Sequence, residues 1–214
     1  MLFATRIRNR RFFFFIVILA LAGFLIFSSA ALGLLGGTGA SYSRIVWNQL
    51  FTLVIGIGAL LVFGWFPYRH WRKIAVWLFI LSFLLTLLVF VPGISFSSGG
   101  ASRWISFGSR TFQPAEFLKF GFIIYLAAWL SKIRDQVTSW KTGFLPFLLF
   151  VGLVGVTLIA QPDLGTFFTL FTAAGAMFFA AGAKWRELGA LALLAIIGLT
   201  IVIFSKPYAY ARER

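Results

Sequence analysis

The sequence contains no cysteine, a single histidine (His70) and only five acidic residues in 214. The absence of cysteine excludes disulfide bonds and thiolate metal sites, and one histidine is too few for a histidine cluster. Only 11% of the residues are charged, whereas a soluble domain carries about a quarter. This shortage of charge argues against an ordinary soluble domain.

Apolar residues make up 61% of the chain, with 28 Phe and 8 Trp. A helix needs about 20 mostly apolar residues to cross a bilayer, and helices satisfy their own backbone polar groups there. The sequence therefore predicts an all-α, polytopic membrane bundle with about seven transmembrane helices, forming a single transmembrane domain over residues 1–214. The predicted helices are residues 12–35, 46–66, 74–91, 117–130, 144–160, 166–183 and 188–204.

The first apolar run is longer than the 7–15 residues typical of a signal-peptide core, so we expect it to remain as a membrane helix. Twelve of the 19 lysines and arginines then share the side of the N-terminus, in residues 6–11, 69–73, 132–141 and 184–186. Cytoplasmic loops carry the excess of such residues. The sequence thus predicts a multi-pass membrane protein with a cytoplasmic N-terminus.

The net charge of +14 also has a membrane explanation. Basic residues beside membrane helices bind anionic lipid headgroups, so membrane lipids are predicted partners and nucleic acid is not. Seven cations nevertheless remain on the outer side: Arg44, Arg103, Arg110, Lys119, Lys206, Arg212 and Arg214. This outer excess suggests an anionic ligand.

A polar, glycine-rich segment, "GGASRWISFGSRTFQPAEFLKF", separates the third and fourth runs. It lies in a predicted extracytoplasmic loop, residues 92–115, and leads into the fourth helix near Pro114. Proline suits the first position of a helix, and a glutamate in the first turn suits its dipole. Glu116 and Lys119 are three residues apart and share a helix face, so we expect them to form a salt bridge.

A second polar segment, "AQPDLGT", repeats the pattern of Gln-Pro followed by an acid. The chain crosses the membrane twice between Glu116 and Asp163, which places both acids near the outer side. They can serve simply as helix caps and buried ion pairs. Together with Arg103 and Lys119 they also suit a pocket for an anionic headgroup such as a lipid pyrophosphate.

These segments resemble the signatures of the SEDS family, the FtsW/RodA/SpoVE proteins of bacterial cell division, elongation and sporulation. The first is similar to the family pattern GARRW…G…QPSE…K, and "QPDLGT" matches a second signature. "RIVWNQL", "AGAKWREL" and the closing "KPYAYAR" are also similar to the family. The resemblance covers essentially the whole chain, and "YLAAWLSK" and "FFAAGAKWREL" favour the division member slightly.

The resemblance implies a peptidoglycan glycosyltransferase that polymerises lipid II, an undecaprenyl-pyrophosphate disaccharide, beside a class B penicillin-binding protein. It implies a divalent cation, Mg²⁺ or Mn²⁺, or cationic side chains at the leaving pyrophosphate. The expected substrate-binding residues are Arg103, Glu116, Lys119 and Asp163. The other motif positions are Gly100, Trp104, Gln113, Pro114, Gln161, Pro162, Gly165 and Thr166.

The chain also departs from the family pattern. Family members have about ten helices, and their proposed catalytic aspartate follows the seventh, beyond Arg214 in this numbering. We therefore expect the chain to be the N-terminal portion of such an enzyme, with no catalytic residue assigned. Two alternatives remain open: a flippase for lipid-linked precursors, and a non-catalytic scaffold of the division or elongation machinery.

Overall fold

A computed structural model describes residues 10–38, 42–91, 95–98, 101–107 and 110–203. Seven α-helices in these ranges each overlap one predicted apolar run, which confirms the predicted helical membrane bundle. The helices are α1 (Arg10–Thr38), α2 (Tyr42–Trp65), α3 (Tyr68–Leu87), α4 (Pro114–Lys132), α5 (Leu145–Ala160), α6 (Leu164–Ala180) and α7 (Trp185–Ile203).

Helix length and apolarity identify five segments in the described part of the chain that are able to cross a membrane. They are Phe13–Leu32, Ile45–Trp65, Tyr68–Phe90, Pro114–Lys132 and Trp140–Ala160. Helix α6 is apolar but shorter, at 17 residues. These segments agree with a multi-pass membrane protein.

The helix boundaries differ from the prediction mainly where polar residues extend a helix. Helix α3 begins at Tyr68 rather than at residue 74, because the basic residues Arg69, Arg72 and Lys73 continue the same helix beyond its apolar part. Helix α4 begins at Pro114, as predicted.

The chain forms two compact units, residues 1–68 and 69–214. In the first unit, α1 packs against α2. In the second unit, the core lies among α4, α5 and α6. Its α4 face consists of Leu118, Phe122 and Leu126, which are fully buried and four residues apart, as expected for one side of a helix.

Aromatic rings fill much of the core of the second unit. Phe122 of α4 stacks on Phe150 of α5 with ring centroids 5.0 Å apart. Phe147 of α5 stacks on Phe178 of α6 at 4.1 Å. Because lipid tails are as apolar as these side chains, close van der Waals packing rather than water exclusion holds such helices together.

Helix α4 approaches α3 closely at Gly121. A Cβ atom at this position would overlap Ser82 Oγ and lie 2.9 Å from the backbone oxygen of Leu78. Small residues allow membrane helices this separation. The contact fixes α4, and therefore its polar first turn, against the end of α3.

The predicted extracytoplasmic loop, residues 92–115, contains a small antiparallel sheet that the sequence analysis did not predict. Its strands are β1 (Ser95–Ser98), β2 (Ala101–Phe107) and β3 (Arg110–Phe112), in the order β1-β2-β3. Ile105 of β2 is 2% exposed and pairs with Phe112 of β3. The strand β2 also contacts α4 and a short 3-10 helix, Leu88–Phe90, at the end of α3. The sheet is therefore attached to the helix ends.

Candidate functional site

The first turn of α4 carries the first Gln-Pro pair. Pro114 occupies the first helical position, where its missing N–H causes no loss, and Glu116 N donates to the carbonyl of Gln113 at 3.1 Å. The side chain of Gln113 does not cap its own helix. Its Nε2 instead donates to Oδ2 of Asp163, 3.0 Å away.

Asp163 is the N-cap of α6. Its Oδ1 accepts a hydrogen bond from the backbone N–H of Thr166 at 3.2 Å, the usual role of a capping aspartate. The residue is 3% exposed. Both carboxylate oxygens therefore have partners, as a buried carboxylate requires.

The second Gln-Pro pair links the end of α5 to α3. Gln161 Nε2 donates to the backbone oxygen of Thr86 at 2.8 Å, and both residues are buried. The intervening Pro162 leads to Asp163, whose backbone N–H returns to the carbonyl of Leu158 at 2.9 Å. These two hydrogen bonds attach the turn between α5 and α6 to α3 and to the last turn of α5.

Together, the two glutamine side chains join the ends of α3, α4, α5 and α6 on the side of the sheet. Asp163 lies on the same side as the described part of the polar segment, residues 101–107 and 110–115, as the sequence predicted. The structure therefore brings the two motifs into direct contact through Gln113 and Asp163.

Glu116 and Lys119 form the predicted salt bridge, with Lys119 Nζ 2.7 Å from Glu116 Oε2. The side chain of Glu116 is 57% exposed and that of Lys119 is 29% exposed. An exposed pair of this kind adds little stability. Because both side chains are partly exposed, the two charges are accessible at the start of α4.

The remaining predicted positions lie around this centre. Arg103 is half-buried and Trp104 is exposed, both on β2. Gly165 lies in the first turn of α6 and is exposed. Gly100 and the closing segment, residues 206–212, lie outside the described residues.

Two polar residues of α3 belong to the same hydrogen-bond network as Gln161. The sequence analysis did not predict them as part of the site. Ser82 and Thr86 are fully buried, and Thr86 Oγ1 donates to the carbonyl of Ser82 at 2.8 Å. Their spacing of four residues within an apolar run places them on one helix face. Small hydroxyl residues of membrane helices prefer helix interfaces, so this spacing was the available signal.

The described residues do not fit a protein-bound metal site. They contain no group of three or more histidine, cysteine, aspartate or glutamate side chains in metal-binding proximity. Both Asp163 oxygens accept hydrogen bonds, and Glu116 is paired with Lys119.

The fold and these contacts define a multi-pass helical membrane protein with two polar motifs joined at one end of its bundle. The FtsW/RodA/SpoVE family, described as cell cycle proteins, matches residues 9–214. The chain belongs to this family, which confirms the resemblance found in the sequence.

Curated relatives agree with this assignment. A probable peptidoglycan glycosyltransferase FtsW from Geobacter sp. (strain M18) is 41% identical over 68% of this chain and 40% of its own length. Stage V sporulation protein E of Bacillus subtilis is 33% identical over 75% of this chain and 44% of its own length. The chain spans about two fifths of the length of these relatives.

Solved structures show the same fold. The rod shape determining protein RodA of Thermus thermophilus is 25% identical, with a TM-score of 0.64 over 83% of this chain and 58% of its own. A chain of a peptidoglycan synthase complex is 23% identical, with a TM-score of 0.68 over 92% of this chain and 56% of its own.

Proposed function

We propose that this chain is part of a peptidoglycan glycosyltransferase that polymerises lipid II on the outer face of the bacterial inner membrane. The family assignment and the FtsW relatives support this activity. The observation that carries the proposal is the direct contact between the two motifs, from Gln113 to Asp163. It supports a single substrate-facing site that includes the start of α4 and the attached sheet.

In the proposed reaction, the acceptor sugar hydroxyl attacks the anomeric carbon of the donor disaccharide. A new glycosidic bond forms, the bond to the lipid pyrophosphate breaks, and the hydroxyl proton passes to a base. Cations at the departing pyrophosphate stabilise the charge that develops on it. No described residue is assigned as the base.

The chain's own residues have distinct parts in this proposal. Lys119 is accessible at the start of α4 and binds the pyrophosphate, together with Arg103 of the neighbouring strand. Glu116 holds the Lys119 ammonium in place. Asp163 and Gln113 have a structural part, since their hydrogen bond holds the starts of α4 and α6 together. Both oxygens of the buried Asp163 carboxylate already accept hydrogen bonds.

The orientation and partner belong to the same proposal. The distribution of lysine and arginine supports a cytoplasmic N-terminus, which places Arg103, Lys119 and Asp163 outside. The family assignment supports a class B penicillin-binding protein as partner. The 41% identity to an FtsW relative favours a role in division.

A polymerisation assay with purified lipid II tests this function. The samples are the chain alone and a chimera that joins it to the remaining helices of a curated FtsW relative, each with the partner transpeptidase. We expect glycan strands from the chimera and a strong loss on Lys119→Ala, with Lys141→Ala as the matched control. Lipid II binding or translocation without polymer from either sample would favour a scaffold or a flippase instead.

A further inference from the structure

A cleft of about 350 Å³ opens between the last turns of α4 and α6. Because Gln113 and Asp163 join the first turns of these two helices, the helices run parallel and the cleft lies at their other end. Helix α6 has 17 residues, which corresponds to a length of about 25 Å. The cleft is therefore separate from the proposed lipid II site.

Small side chains create the space in this cleft. Ala127 and Ser131 of α4 face Ala180 at the end of α6. Met177 provides an apolar wall that adapts readily to an irregular ligand. The interior of the cleft therefore suits a mainly apolar group.

A cationic side chain, Arg134, lines the cleft. Lys132, the last residue of α4, is close to it in the sequence but does not line the cleft. Both side chains are exposed, and neither has an ion-pair partner among the residues that the structure describes. Asp135 follows Arg134 in the sequence but does not pair with it.

We propose that this cleft binds an anionic phospholipid, with its phosphate on Arg134 and its glycerol and first acyl carbons against Met177 and the alanines. The planar guanidinium matches phosphate oxygens with two parallel hydrogen bonds. Basic pockets between membrane helices bind anionic headgroups in this manner. The apolar walls favour a lipid over a free phosphate ion, because an ion makes no use of them. This inference stands independently of the proposed glycosyltransferase activity.

The test uses the purified chain in nanodiscs of phosphatidylcholine with 10% fluorescent phosphatidylglycerol, read out as energy transfer from tryptophan. We expect Arg134→Ala to lower phosphatidylglycerol binding about fivefold, which corresponds to one basic contact near the membrane surface. Arg134→Lys should retain part of the binding. Ala180→Leu should also lower it, because the larger side chain fills the cleft while every charge remains.

Lys141→Ala is the matched control, since Lys141 is exposed but does not line the cleft. An equal loss with Lys141→Ala would show nonspecific attraction to the surface and overturn the proposal. Unchanged binding in Ala180→Leu would also overturn it. So would displacement of the lipid by inorganic phosphate, which would indicate a simple ion site, or displacement by an acidic peptide, which would indicate a protein partner.

Discussion

The side-chain amide of Gln113 lies 3.0 Å from the carboxylate of Asp163, although 50 residues separate them in the sequence. The carboxylate is also the N-cap of α6. A single hydrogen bond therefore connects the starts of two parallel helices. We expect substitutions at the two positions to have coupled effects.

Replacement of Gln113 by alanine should destabilise the chain. The change leaves one oxygen of a buried carboxylate without its partner, which costs about 1.5–3 kcal/mol for a hydrogen bond to a charged group. For a chain of this size we expect the Tm to fall by about 3–12 °C, measured by thermal unfolding in detergent. Gln136→Ala is the control, because Gln136 is exposed. An equal Tm for both variants would contradict the prediction.

Asp163 should tolerate asparagine better than alanine. Asparagine is also a good N-cap, and its side chain can bond with a reoriented Gln113 amide. Alanine removes the cap and the contact together, so we expect a loss of about 2–4 kcal/mol. A double-mutant cycle of Gln113→Ala with Asp163→Ala should show a coupling of about 1 kcal/mol or more. Additive effects would mean that the contact contributes nothing.

An exchange of charges separates two roles for the pair of Glu116 and Lys119. The double variant Glu116→Lys with Lys119→Glu keeps an i,i+3 ion pair, so stability should change by less than about 1 kcal/mol. If Lys119 binds pyrophosphate, the exchange should still abolish most lipid II polymerisation by the chimera. Full activity after the exchange would assign the pair a structural role only. Unfolding and polymerisation are measured on the same preparation.

Gly121 and Gly175 should respond in opposite directions to alanine. A Cβ at Gly121 meets Ser82 Oγ and the Leu78 carbonyl, and overpacking of this kind costs about 1–3 kcal/mol. Gly175 of α6 has open space at that position, so alanine should stabilise its helix by up to about 1 kcal/mol. Thermal unfolding of the two variants gives the comparison. A stable Gly121→Ala variant would contradict the close approach of α3 and α4.

The positions of the helices could be predicted because a membrane sets the length of an apolar segment. The start of α4 at Pro114 followed from the chemistry of helix ends. The sheet was missed because residues 95–112 have few β-branched side chains. Within β2, Ile105 is buried. That burial is a tertiary effect that local sequence does not encode.

The partners of the polar side chains were the least predictable part of the site. The sequence placed Asp163 on the correct side and paired Glu116 with Lys119, because spacing along one helix determines that pair. It did not indicate that Gln113 bonds to Asp163 or Gln161 to Thr86. Those contacts depend on how helices rotate about their axes, and distant packing determines that rotation.

The hydrogen bond between Gln113 and Asp163 also bears on when this surface assembles during synthesis. During synthesis, α4 enters the membrane well before residue 163 leaves the ribosome. Until then the amide of Gln113 has no carboxylate to meet, and an unsatisfied polar group is costly away from water. We therefore expect the polar end of α4 to reach its final position only after α5 has crossed and α6 has begun.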